Sequence, residues 1–124
     1  MSRTMGVFIG SREPLRSLAA DVGSALGISW EQFGTSAKPR KEWYGLGVDL
    51  ILYEQGYTGD PDAAPDKYRF CLCVYQRAAS ESATALADAA ARFIYETLRA
   101  QRRWPVLLTE DGLQKAVAAY DPGV

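Results

Sequence analysis

No histidine occurs anywhere in the 124 residues. That absence removes Ser-His-Asp and Cys-His nucleophilic systems and imidazole metal sites. Any acid–base role is left to Asp, Glu, Tyr, Lys and Cys. No catalytic residue, metal or cofactor is expected. Long apolar runs are missing too, and nothing approaches the ~20 residues of a membrane span. Residues 1–10 lack the roughly 7–15-residue apolar stretch of a signal peptide. Nor is there an excess of one charge: 14 basic and 15 acidic residues leave a net charge of −1. No global field then favours nucleic acid or an anionic membrane as a partner. Cysteine is scarce, with two in the chain. Cys71 and Cys73 lie two apart in one predicted strand and are poorly placed to bridge to each other. They lack the Cys-x-x-Cys spacing or further ligands of redox and metal sites, and read as small packing residues. A reduced, cytoplasmic setting follows.

What is present is ordinary in amount and informative in pattern. The apolar share is 48% and the charged share 23%, typical of one globular domain. The stretch Tyr44–Gln76 carries two runs with the period of a strand. Leu46, Val48, Leu50 and Leu52 alternate with Gly45, Gly47, Asp49, Ile51 and Tyr53. Phe70, Leu72 and Val74 alternate with Arg69, Cys71, Cys73 and Tyr75. An antiparallel pairing that sets Leu52 opposite Phe70, Leu50 opposite Leu72 and Val48 opposite Val74 makes one side uniformly apolar. The other side then pairs Tyr53 with Arg69, Ile51 with Cys71 and Asp49 with Cys73. This mixed side is too apolar for a fully solvated one and too polar for a core.

The flanking chain supplies cover. Thr4–Ile9 reads as a strand, and Gly10-Ser11-Arg12 leads to a helix with Ser11 as its cap. Leu15, Leu18, Ala19, Val22, Ala25 and Leu26 form its apolar stripe, and Gly27 stops it. Ile28–Gly34 reads as a short strand. Lys38-Pro39-Arg40-Lys41 reads as a basic loop tip. Glu54–Lys67 is an acidic loop with Asp60, Asp62 and Asp66, at the opposite end of strand Tyr44–Gln55 from that tip. Its aspartates depart from the EF-hand spacing, so calcium is not favoured. A helix capped at Ser80 or Ser82 runs to about Arg103, with Ala83, Leu86, Ala90, Phe93, Ile94 and Leu98 as its stripe. Trp104-Pro105 ends it. Val106–Thr109 is a strand. Asp111 and Gln114 resemble a capping box for a closing helix through Leu113, Ala116, Val117 and Tyr120. The predicted fold is α+β, in the order β-α-β-β-β-α-β-α. A mostly antiparallel sheet of four to five strands carries two amphipathic helices packed on one face.

The layout resembles that of small bacterial immunity proteins. The resemblance rests on the capped helix Ser80–Arg103 running into Trp104-Pro105-Val106-Leu107-Leu108-Thr109-Glu110-Asp111-Gly112, and on the acidic, aromatic hairpin Tyr53–Tyr68. It implies inhibition by tight binding to a toxin domain, without catalysis. Acidic loops in such proteins meet basic toxin sites. Asp60, Asp62 and Asp66 would carry that contact here, with Asp49, Tyr53, Tyr57 and Arg69 beside them.

Two other classes stay open at this point. A small enzyme or small-molecule binder would use a cleft near Asp49, Tyr53 or Arg12. A structural subunit would dimerise through the hairpin's mixed side. Asp49 in an otherwise apolar strand has three readings: a partner contact, which is preferred, a catalytic carboxylate, or a salt bridge to Arg69 or the helices.

Overall fold

A computed structural model describes residues 4–34, 39–45, 47–57, 67–78, 80–110 and 115–123. The strands are β1 (Thr4–Ile9), β2 (Glu31–Gly34), β3 (Pro39–Gly45), β4 (Val48–Glu54), β5 (Phe70–Gln76), β6 (Val106–Glu110) and β7 (Lys115–Tyr120). The helices are α1 (Leu15–Leu26) and α2 (Glu81–Gln101). The strands form one sheet in the order β2-β3-β4-β5-β1-β6-β7, and every pairing is antiparallel. The class is α+β, as the sequence indicates, but the sheet has seven strands where four or five are expected.

The alternation of β4 and β5 sets the two sides. Val48, Leu50 and Leu52 join Phe70, Leu72 and Val74, then Met5, Val7 and Ile9, then Val106 and Leu108, in one buried cluster. Leu15, Leu18, Ala19 and Val22 of α1 and Ala87, Ala91, Ile94, Tyr95 and Leu98 of α2 complete it. Both helices therefore lie on this side.

The β4–β5 register differs from the expected one by two residues. Leu52 faces Leu72, Leu50 faces Val74 and Val48 faces Gln76. A slip of two leaves each side chain on its own side, because the pleat repeats every two residues. The apolar ladder survives while its partners change.

Two strands were not expected. Pro39, Arg40 and Lys41 are not a loop tip but the start of β3, while Lys38 lies outside the described residues. Pro39 opens the strand, a position where proline is tolerated. β3 turns back into β4 with Gly45 opposite Val48. Gly47 has φ +81°, as a two-residue hairpin connection demands of at least one of its residues. The run from Tyr44 is thus a hairpin, not one strand. Its reversal sets Arg40 opposite Tyr53, so the basic residues share the acidic loop's end of β4.

The closing helix is also a strand. Ala116, Ala118 and Tyr120 suit a period of two, and β6 offers a free edge for pairing. Ala118 and Tyr120 pack against the main core. Asp111, Leu113 and Gln114 lie outside the described residues. The element order is therefore β-α-β-β-β-β-α-β-β.

The helix ends follow local chemistry. Ser80 accepts from the Ala83 amide at 3.1 Å, as expected of a cap. Gly27 stops α1 at φ +72°. Ser11 is not the cap of α1, however. Its hydroxyl accepts from the Glu13 amide at 3.1 Å, and the helix begins after Pro14. The buried stripe of α2 is rotated from the expected one. Leu86 and Phe93 are exposed, and the small Ala87 and Ala91 face the sheet. Leu86 and Phe93 instead border an apolar groove of about 320 Å³ with Leu26, Trp43 and Val48.

Candidate functional site

The helix-free side of the sheet is built in three cross-strand rows. Tyr44, Asp49 and Tyr75 form the first, across β3, β4 and β5. Glu42, Ile51, Cys73, Gly6 and Thr109 form the second. Arg40, Tyr53, Cys71, Phe8 and Leu107 form the third. The three β4 residues expected on the mixed side, Asp49, Ile51 and Tyr53, lie on it, but with new neighbours. Asp49 faces Tyr75 rather than Cys73, and Tyr53 faces Cys71 rather than Arg69.

This side is not open throughout. Phe8, Cys71, Cys73 and Leu107 are buried in a second cluster that contains no helical residue. Tyr57 helps to cover it and is itself 3% exposed. Its ring meets Phe8 edge-on at 5.3 Å, and its amide donates to the Tyr68 carbonyl at 3.2 Å. Tyr57 is thus a covering residue and not the exposed contact expected of it. What remains accessible is the β3–β4–β5 flank: Tyr44 exposed, with Asp49, Ile51, Tyr53 and Tyr75 half-buried.

Each charge on this flank has a partner. Asp49 accepts from Arg77 Nε at 2.6 Å, and that guanidinium lies 5.8 Å from the Tyr44 ring. Glu42 is buried beside Ile51 and held by Arg40. Arg77 and Tyr44 were missed as site residues. The clue available was their position flanking the strand that carries Asp49.

Arg69 sits elsewhere. It pairs with Glu54 at 3.0 Å and donates to the carbonyls of Arg12 and Glu13 at 3.4 and 3.5 Å. It ties the start of β5 to the loop before α1. Arg12 lines a separate cleft of about 600 Å³ near Glu13, Lys67, Arg103 and Trp104. Several polar groups there pair with one another. Lys67 pairs with Asp121 at 2.9 Å, and Glu13 accepts from Ser17 and Trp104. Arg12 and Tyr53 therefore do not converge on one cleft. Asp60, Asp62 and Asp66 lie outside the described residues.

The titratable groups in the middle of the flank interact closely. Tyr53 Oη lies 3.3 Å from Cys73 Sγ, and Cys71 Sγ lies 3.1 Å from it. The sulfurs converge despite their spacing along one strand. Burial raises the Cys71 thiol well above the usual range, and the hydrogen bond to Cys73 adds to this. The hydrogen bond from Cys71 lowers Cys73, with burial opposing and Tyr53 and Tyr75 assisting. Burial, then Cys73, raises Tyr53 and pushes Tyr75 up to about 12.

The two phenols make stability depend on pH in the alkaline range. Below the ordinary value of 10.0 both folded and unfolded chains keep them neutral. Above it the unfolded chain ionises first, so stability is lost as pH rises through about 12. Urea unfolding across that window should show the fall. Tyr53→Phe with Tyr75→Phe should make it shallower.

Among the described residues, no group of three or more His, Cys, Asp or Glu is placed to hold a metal ion. None of the described helices is long and apolar enough to cross a membrane. No family model, curated protein or solved structure matches this chain.

Proposed function

We propose that this chain is a protein-binding module that docks the flank Tyr44, Asp49, Ile51, Tyr53 and Tyr75 onto a partner. The partner is a toxin domain neutralised by tight binding, as the resemblance to bacterial immunity proteins implies. The observation that carries the reading is this aromatic flank, accessible on the side of the sheet away from both helices. Tyrosine gives rigid contact area at low entropy cost. Asp49 is already paired with Arg77, so covering it leaves no lone carboxylate out of water. Asp60, Asp62 and Asp66 enter the chain between β4 and β5, next to this flank in sequence, and supply charge for a basic partner.

The test is calorimetric titration with the protein encoded beside this one. Alanine at Asp60, Asp62 and Asp66 together should weaken binding about tenfold and flatten its salt dependence. Unchanged affinity and an unchanged salt slope would remove the acidic loop from the interface.

A further inference from the structure

Cys71 and Cys73 are the two cysteines of the chain, and the partner-binding reading makes no use of them. Both are fully buried in β5, with their sulfurs 3.1 Å apart. Four polar atoms gather at one point: two sulfurs and the hydroxyls of Tyr53 and Tyr75. Gly6 stands opposite Cys73 on β1 and Ile51 on β4, so neither neighbour brings a competing charge. Packing alone needs no such convergence, since two buried thiols in an apolar cluster pack as small hydrophobes.

We propose that Cys71 and Cys73 form a redox-active dithiol, with Cys73 as the attacking sulfur, Cys71 as the resolving thiol and a hydroperoxide as the oxidant. Position in the cluster separates the roles. Cys73 is the central sulfur, within hydrogen-bonding reach of both Cys71 and Tyr53, and its proton is held less tightly than usual. Burial holds the Cys71 proton more tightly than usual, and its sulfur lies within reach of Cys73. In the first step the Cys73 thiolate attacks one peroxide oxygen. The O–O bond breaks and hydroxide leaves, taking up the proton that Cys73 released. Cys73 is then a sulfenic acid. In the second step the Cys71 sulfur attacks Cys73, the S–S bond forms, the S–O bond breaks and water departs with the Cys71 proton. Two thiols lose two electrons, and one hydrogen peroxide becomes two waters.

Neither sulfur is open to solvent; the cavity of about 700 Å³ lined by Ile51, Tyr53 and Tyr75 borders the phenols that contact Cys73 and is the proposed way in for the peroxide. Both phenols are half-buried, so they stand nearer the surface than the sulfurs. Residues i and i+2 of a strand stand about 6.6–6.8 Å apart, at the long end of the Cα range for a disulfide. The bridge is therefore strained. Strained disulfides are readily reduced, so the oxidation is reversible.

The tryptic peptide Phe70–Arg77 carries both cysteines, which makes the readout local. The folded wild-type protein is treated with hydrogen peroxide, unfolded, alkylated with iodoacetamide and digested. The expected peptide is lighter than its thiol form by two hydrogens and takes no alkyl group. Dithiothreitol restores both alkylation sites. Cys71→Ser, checked for folding by circular dichroism, should trap dimedone at position 73. Tyr53→Phe should slow oxidation, because the Cys73 proton is then held more tightly; a roughly tenfold loss of thiolate would be offset about threefold by greater nucleophilicity, a net slowing of about threefold. Two outcomes would overturn the proposal. One is a folded protein that keeps both thiols alkylatable under peroxide that oxidises the urea-unfolded chain. The other is bridging only between separate molecules.

Discussion

Phe70→Ala is expected to destabilise the fold by about 3–5 kcal/mol, the range for emptying a large aromatic position in a core. Phe70 is fully buried at the start of β5 and faces Ile9 on one neighbour and Glu54 on the other. It stands where the sheet meets the cluster shared with both helices. β5 is the middle strand of seven, so its neighbours are held from both edges and cannot collapse freely into the gap. A whole domain has only about 5–15 kcal/mol of stability, so the loss is a large fraction of it. Urea unfolding should show a lower midpoint at an unchanged slope. Val117→Ala, at an exposed position of β7, should cost little by comparison. A loss below about 1 kcal/mol for Phe70→Ala would mean that the helix side of the sheet is not packed as described.

Tyr57→Ala should cost about 2–3 kcal/mol, through lost burial and a lost aromatic pair. Tyr57 lies on the chain leaving β4 and folds back over Phe8. Its removal opens the second cluster, where Phe8, Cys71, Cys73 and Leu107 are otherwise shielded. The local cost is below that of Phe70→Ala because a loop adjusts more easily than a central strand. Dye binding to newly exposed apolar surface should rise while the far-ultraviolet circular dichroism stays native. A stable variant with no added dye binding would show that Tyr57 does not cover that side.

The strongest sequence signals were those in which burial and backbone period agree. β1, β4, β5, β6 and both helices carry dense apolar repeats, and each lies close to its expected place. β3 was hidden because Pro39, Arg40 and Lys41 look like a turn when read locally. Their strand exists because β2 and β4 pair with it on both sides. β7 was hidden for another reason. Its alanines fit a helical spacing as well as a strand's, and pairing with β6 decides between them. For α2, side-chain size misled: Leu86 and Phe93 suggested the buried face, but the helix turns its alanines to the sheet.

The candidate site was legible only in part. Asp49 and Tyr53 lie on the mixed side because the register differs from the expected one by two residues, which keeps the alternation in phase. Tyr57 and Arg69 depart from expectation because each leaves the strand's alternation at a loop. Their positions depend on distant partners, Phe8 for one and Arg12, Glu13 and Glu54 for the other. The pairing of Arg77 with Asp49, and of the two sulfurs with two phenols, depends on side-chain reach that spacing alone does not report.

In the proposed binding mode, a partner meets the helix-free side of the sheet. Affinity for a captured partner, measured for the wild type, Ile51→Lys and Phe93→Lys, tests this directly. Ile51 is half-buried at the middle of the helix-free flank, while Phe93 is 65% exposed on α2 at the opposite side. Lysine at 51 lays its stem along the sheet and puts a charge where contact is required. The account predicts at least about a 30-fold loss for Ile51→Lys, equivalent to a hot spot of 2 kcal/mol, and none for Phe93→Lys. Wild-type affinity for Ile51→Lys together with a large loss for Phe93→Lys would contradict it.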